Sequence, residues 1–201
     1  MPYNMTNATP LTHRFDRALL YATHIHGGQT RKGTAVPYVA HLLAVAATVL
    51  EYGGSEDVAI AALLHDAVED QGGEPRLADI RNRFGARVAE IVRSCSDSVV
   101  NASAGHAKED WHLRKTRYVA HLAGADQDAL LVSLADKVHN ARSILRDLRK
   151  PEVGAAVWGR FKASKADSLA HYRELAQAFG KYLPGQLADE LGEIVDALEN
   201  A

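Results

Sequence analysis

The chain has 201 residues, a length that suits one domain and leaves no room for a second of ordinary size. Hydrophobic residues make up 47% and can furnish a core, while a formal net charge of −2 excludes a global electrostatic pull toward nucleic acid or membrane. Cys95 is the single cysteine, which excludes an intramolecular disulfide and fits a reducing compartment, so a cytoplasmic location is expected. The opening MPYNMTNATPLTHRF lacks the charged start and apolar core of a signal peptide, and no apolar run is long enough to span a bilayer.

Residues 1–11 read as a flexible tail, with a single domain expected over 12–201. Thr12 is placed to cap a helix running to His26, with Phe15, Leu19, Leu20, Ala22 and Thr23 suggesting its inner side. GGQTRKGTAVP, from Gly27 to Pro37, breaks that pattern and sets Arg31 and Lys32 among three glycines, residues that let a backbone approach a ligand closely. It lacks the spacing of a Walker loop, and by composition alone a solvated basic loop is the commoner reading. Tyr38 to Tyr52 is helical, with an apolar stripe of Leu42, Val45, Ala46, Val49 and Leu50. His41 lies about 40° from Val45 on that helix and so faces the core, where a histidine is most often simply hydrogen-bonded.

Ser55, followed by Glu56 and Asp57, starts the next helix, whose apolar run from Val58 to Leu64 ends in HDAVED, His65 to Asp70. On one continuous helix at about 100° per residue, His65, Asp66, Glu69 and Asp70 share an arc of roughly 140°. Burying an imidazole with three carboxylates is costly unless a cation or strong hydrogen bonds compensate. A metal ion is one explanation; the helix surfacing and ending in water is the other.

Short helices are expected from Pro75 to Phe84 and from Ala86 to Ser96, then an irregular stretch from Asp97 to Asp110 that suits a mobile flap or a plain surface loop equally. Trp111 to Leu122 returns to helix. Asp126 caps a long helix that stops at Pro151, with Leu131, Leu134, Val138 and Leu145 packing inward. Asp136 and Asn140 lie one turn apart on another side, next to Val132, an unusual place for an acid. Two more helices are expected within 152–201, the first interrupted. No alternating strand pattern stands out, so the expected fold is all-α, a single helical bundle without a sheet core.

Three helices thus carry a metal-competent group where apolar residues belong: His41, His65 with Asp66, and Asp136. Two imidazoles and two carboxylates form a mixed nitrogen and oxygen set, better suited to Mn²⁺, Fe²⁺ or Zn²⁺ than to Mg²⁺. Four protein ligands leave positions open for water and substrate.

The stretches ATHIHGGQTRKGTAVPYVAHLLAVA, AALLHDAVED and LVSLADKVHNARSI, between Ala22 and Ile144, resemble the HD-domain metal-dependent phosphohydrolases. The branch they resemble is the hydrolase domain of RelA/SpoT-type proteins and the stand-alone small alarmone hydrolases. The resemblance implies that His41, His65, Asp66 and Asp136 hold one Mn²⁺ ion and that Glu69 and Asp70 orient and deprotonate the attacking water. It also implies that Arg31 and Lys32 meet the phosphates and base, and that Asn140 and Arg142 contact the ligand. Arg160 and Tyr172 match looser segments of the stand-alone enzymes, and Lys108 and Arg114 align to no family contact. The implied reaction is hydrolysis of the 3′-pyrophosphate of (p)ppGpp, a guanosine nucleotide, to pyrophosphate and GDP or GTP.

Bifunctional members continue into a synthetase domain and regulatory modules, so neither alarmone synthesis nor ribosome-dependent control is expected here. A homo-oligomer is compatible with the sequence. Two rival readings remain: an HD phosphohydrolase of another nucleotide, such as a nucleoside monophosphate, a dNTP or NADPH, and a non-catalytic, metal-stabilised module that binds a nucleotide or a protein. Glu69 and Asp70 count against the second, because a structural site needs no acids beyond its ligands.

Overall fold

Residues 9–96 and 109–201 are described in the computed structural model, and they fold as helices joined by short turns. In chain order these are α1 (His13–Ile25), α2 (Val39–Glu51), α3 (Glu56–Leu64), α4 (Ala67–Gln71), α5 (Gly73–Phe84) and α6 (Ala86–Cys95). After the undescribed segment come α7 (Trp111–Leu122), α8 (Gln127–Leu148), a 3₁₀ segment (Gly154–Arg160), α9 (Lys165–Tyr182) and α10 (Gln186–Glu199). Among the described residues the strand-like pairing is one antiparallel bridge, Thr30 to Pro37, which closes the basic loop. The fold is all-α. None of its helices is long and apolar enough to cross a membrane, among the described residues.

The centre is α3. Val58 to Leu64 have 0% exposure each, because a helix that is apolar all round can only be stable when surrounded. It packs against α1, α2, α6 and α8. The other axis is α8, which touches α2, α3, α6, α9, α10 and the 3₁₀ segment, and buries Ser133, Asp136 and Asp147 among its apolar residues. Leu187, Leu191, Ile194, Val195 and Leu198 form the buried stripe by which α10 covers α8 and α9. The ends of α2 and α3 and the middle of α8 therefore meet inside the molecule, and each brings one of the polar groups that the apolar pattern failed to explain.

Side-chain caps start helices at Thr12 and Asp126, as the sequence suggests, and at Ser164, which it did not mark. Thr12 accepts from the Arg14 amide, Asp126 from Ala129 and Ser164 from Asp167. Ser55 has the extended backbone of a cap but makes no capping hydrogen bond. On the inner face of α1, Ala22 is buried and Phe15 and Leu19 pack against the core as expected, but Ala18 is buried too, while Leu20 is 71% exposed and Thr23 faces out. The expected flap from Asp97 to Asp110 falls largely outside the described residues.

The main correction concerns HDAVED. It is not one helix: α3 ends at Leu64, His65 and Asp66 form a turn, and α4 starts at Ala67. Asp66 has φ −93° and ψ −4°, the sparsely populated bridge conformation in which active-site residues recur. On a continuous helix the His65 and Asp66 side chains would diverge by about 100°. The turn instead brings His65 Nε2 to 3.0 Å from Asp66 Oδ2.

Candidate metal centre and active-site cleft

His41 from α2 and His65 from the end of α3 are 1% and 3% exposed, and their rings meet edge to face at 5.1 Å. His41 Nε2 lies 3.2 Å from Asp136 Oδ1 and 3.5 Å from Asp66 Oδ2; His65 Nε2 lies 3.0 Å from Asp66 Oδ2 and 3.7 Å from Asp136 Oδ1. Ligand atoms of His41, His65 and Asp66 all fall within 4.8 Å of one another. The four residues expected as ligands are thus brought to one point.

Hydrogen bonding at the far side of each ring decides what these nitrogens present. His65 Nδ1 sits 2.7 Å from the Ala62 carbonyl, which only accepts, so Nδ1 carries the proton and Nε2 offers its lone pair. His41 Nδ1 sits 2.7 Å from His139 Nδ1, and burial, with His41 and Arg31 nearby, lowers the His139 pKa to about 4. One of the two Nδ1 atoms donates and the other accepts; in the tautomer in which His41 donates, its Nε2 presents a lone pair as that of His65 does. Both Nε2 atoms are buried without an aligned hydrogen-bond partner. An orphaned buried nitrogen is costly, and two of them aimed at two carboxylates fit a bound cation.

The charges agree. Burial opposes ionisation of Asp66 and Asp136, yet His65 beside the first and Lys137 beside the second outweigh it and hold both well below the usual carboxylate range. Burial likewise opposes a charged His65, but the two carboxylates outweigh it and raise its pKa well above the ordinary value. A pocket that favours positive charge on a buried imidazole is one that a divalent ion would satisfy, in competition with a proton for the same lone pair.

Both carboxylates are braced from behind. Tyr38 donates to Asp66 Oδ2 at 2.5 Å, and its ring stacks on His26 at 5.2 Å. Lys137 donates to Asp136 Oδ2 at 2.6 Å while lying 5.0 Å over the Tyr118 ring. Asn140 donates to Asp136 Oδ1 and accepts from Arg31 at 2.6 Å, which links the basic loop to the floor of the site. Tyr38, Lys137 and His139 were not singled out in the sequence. The available signal was position: Tyr38 precedes His41 by three residues, one helical turn, and Lys137 follows an acid in an otherwise apolar stretch.

Above this floor opens a cleft of about 530 Å³. Its walls include Arg31, Lys32, Asp70, His139, Asn140, Arg160 and Tyr172. Lys32 lies 5.7 Å over the Phe161 ring, and Arg160 is held by Asp147 at 2.6 Å. Gly33 has φ +70°, and a Cβ there would sit 2.6 Å from the Arg160 Cγ and Cδ, so glycine is what lets the two segments touch. Of the two acids on α4, Asp70 lines the cleft and Glu69, half-buried beside it, does not.

Arg142 is elsewhere. Expected at the ligand, it pairs instead with Glu190 of α10, outside the cleft. Six residues from Asp136 on α8 correspond to about 240°, which turns Arg142 away from the site, whereas Asn140, Ser143 and Asp147 stay on the cleft side. Arg114 bonds the Glu109 carbonyl and does not line the cleft, and Lys108 is outside the described residues.

The HD domain profile matches residues 18–167. The chain belongs to the HD-domain family. It is 33% identical over 129 residues to the guanosine-3′,5′-bis(diphosphate) 3′-pyrophosphohydrolase MESH1 of Mus musculus, covering 63% of this chain and 66% of that one. It is 32% identical over 131 residues to the bifunctional (p)ppGpp synthase/hydrolase SpoT of Escherichia coli K12, covering 65% of this chain but only 18% of SpoT. The solved structure of a metazoan ortholog of SpoT that hydrolyses ppGpp superposes with a TM-score of 0.74 at 26% identity, covering 94% of this chain and 97% of that one.

Proposed function

We propose that this HD domain is a metal-dependent phosphohydrolase that removes the 3′-pyrophosphate of (p)ppGpp, adding water and releasing pyrophosphate with GDP or GTP. The observation that carries this reading is the pair of buried, unpartnered Nε2 atoms converging on two carboxylates beneath a basic cleft. The names borne by MESH1 and by the metazoan SpoT ortholog support the substrate.

His41, His65, Asp66 and Asp136 would hold the ion, with Mn²⁺ the best fit to a mixed nitrogen and oxygen set. When bound, it supplies Lewis acidity, offsetting charge that builds on the phosphoryl oxygens and acidifying nearby water. Asp70 projects into the cleft and accepts the proton of the attacking water, a role typically worth ~10²–10⁴-fold in rate. Glu69, one residue back, supports water orientation. Arg31 and Lys32 neutralise the substrate's phosphates locally, which a chain of net charge −2 cannot do globally. Asn140 joins Arg31 to Asp136, so phosphate recognition and the metal ligand share one hydrogen-bonded unit. Arg160 and Tyr172 line the same cleft and contact the nucleotide. Burial raises the Tyr172 pKa to about 12, so it meets the ligand as a neutral hydroxyl.

The test is to incubate purified protein with ppGpp after EDTA treatment, then with Mn²⁺, Fe²⁺ or Zn²⁺ added back, and to resolve products by anion-exchange chromatography. Pyrophosphate and GDP appearing only with metal are expected. Intact ppGpp with metal bound would overturn the substrate assignment and direct the search to other nucleotides.

A further inference from the structure

We propose that Gln29 is a positioning residue for the reaction: its side-chain amide is a one-way hydrogen-bond clamp that holds Asp70 as an acceptor facing the cleft. The inference rests on the reading of Asp70 as the proton acceptor. Gln29 sits in the loop between α1 and α2, where composition shows only glycines and two cations. In the structure its Nε2 donates to Asp70 Oδ2 at 2.8 Å.

The direction of that bond is fixed by Asp70: an ionised carboxylate only accepts, so Gln29 turns its NH₂ to Asp70 and its Oε1 to the other side. Gln29 Oε1 accepts from Gln71 Nε2 at 2.7 Å and faces His26 Nδ1 at 2.6 Å. An amide oxygen only accepts, so His26 Nδ1 carries the ring proton and donates. Burial lowers the His26 pKa, consistent with a neutral ring that has this one proton to give. Turning the Gln29 amide over would set its oxygen against the Asp70 carboxylate and lose that hydrogen bond, so the clamp has one orientation.

Each arm of the clamp is anchored to a different element. His26 caps α1 and stacks on Tyr38, which in turn bonds Asp66. Gln71 ends α4, and its carbonyl accepts from Arg76 Nε of α5 at 2.9 Å. The Gln29 main chain is tied on both sides, its N–H to the His26 carbonyl and its carbonyl to the Tyr38 N–H, each at 2.9 Å. Asp70 is thus tied through Gln29 to a junction of α1, α2, α4 and α5 as well as to the short helix that carries it. Displacing a reacting group by about 1 Å is enough to cost ~10²-fold in rate.

The experiment compares ppGpp hydrolysis, Mn²⁺ affinity by calorimetry and melting temperature for the wild type, Gln29→Ala, Gln29→Glu, Asp70→Asn and the Gln29→Ala/Asp70→Asn double variant. Gln29→Glu keeps the side chain's volume and its Oε1 acceptor but replaces the donor facing Asp70, so it separates clamping from packing. Both Gln29 variants are expected to lower kcat about tenfold to a hundredfold, the usual effect of removing a hydrogen-bonded support from a reacting group. KM should change less than threefold and Mn²⁺ affinity should stay, because the Gln29 amide bonds His26, Asp70 and Gln71. Gln29→Ala should add nothing to Asp70→Asn. Wild-type kcat in Gln29→Glu, or a full additional loss in the double variant, would overturn the clamp while leaving Asp70 in its role. A fully active Asp70→Asn would instead overturn the reading of Asp70 itself. If Gln29→Ala melts early, Gln29→Glu decides.

Discussion

The floor and the rim of the cleft are built differently. The floor is buried: His41 from α2, His65 from the turn after α3 and Asp136 from α8 meet in the core, and each has a bonding partner behind it in His139, the Ala62 carbonyl and Lys137. The rim is a loop and a 3₁₀ segment. Arg31, Lys32 and Arg160 hang from backbone that runs over the surface and is held by Gly33 against Arg160, Lys32 over Phe161, and Asp147. The difference teaches where precision is needed. On the proposed reading, the groups that would hold the ion are locked by packing, while the groups that would attract phosphates need charge only at roughly the right place.

Breaking the floor has the largest expected effect. Asp66→Ala removes one of two carboxylates facing both orphaned imidazoles; Mn²⁺ binding followed by calorimetry should be abolished, and turnover with it. Asp70→Asn should keep Mn²⁺ affinity and lower kcat by ~10²–10⁴-fold, the range for a lost proton acceptor. Retained turnover in Asp66→Ala would mean that the floor is not where the chemistry occurs; retained turnover in Asp70→Asn would remove Asp70 from the proton transfer.

Breaking the rim should act on affinity. Arg160→Ala removes a charged hydrogen-bond donor worth ~1.5–3 kcal/mol, so KM for ppGpp should rise about tenfold or more with kcat little changed. Gly33→Ala should raise KM in the same direction, because the new Cβ displaces Arg160, and a left-handed alanine costs roughly 1–2 kcal/mol of stability besides. Steady-state kinetics with thermal melts separates the two contributions. A fall in kcat alone from either variant would erase the division between rim and floor.

The smallest effect sharpens the comparison through pH. Burial opposes charge on Asp147, but Lys150 and Arg160 outweigh it and lower its pKa to about 2. A carboxylate depressed on folding contributes stability that is fully present above its unfolded pKa of ~4 and is lost as pH falls through about 2. Denaturant unfolding of the wild type should therefore weaken between about pH 4 and 2, and Asp147→Asn should lower stability above that window and flatten the slope within it.

Much of the helical plan was legible in the sequence, because the apolar residues repeat at helical spacing and Thr12 and Asp126 mark starts that the structure uses. The all-buried α3 was legible too, since seven apolar residues in a row admit no solvent face. What escaped was set by tertiary contacts. Helical spacing continues across His65 and Asp66, so nothing local announces the turn that joins their side chains. The roles of Gln29, Tyr38, Lys137 and His139 exist only once distant elements meet, as with the His41 to His139 contact across 98 positions. Arg142 could have been excluded from its angle relative to Asp136 on α8, and Leu20 was read as inward because the small alanines that carry the buried face of α1 give a weaker signal than leucine.

The most direct test is a Mn²⁺ titration of chelated protein that follows ppGpp turnover and circular dichroism in the same samples. The predicted result is a helical protein throughout, inactive at first, whose turnover rises as one equivalent of Mn²⁺ binds. Turnover that survives chelation, or a fold that collapses without metal and recovers no activity with it, would contradict a catalytic metal centre on this floor.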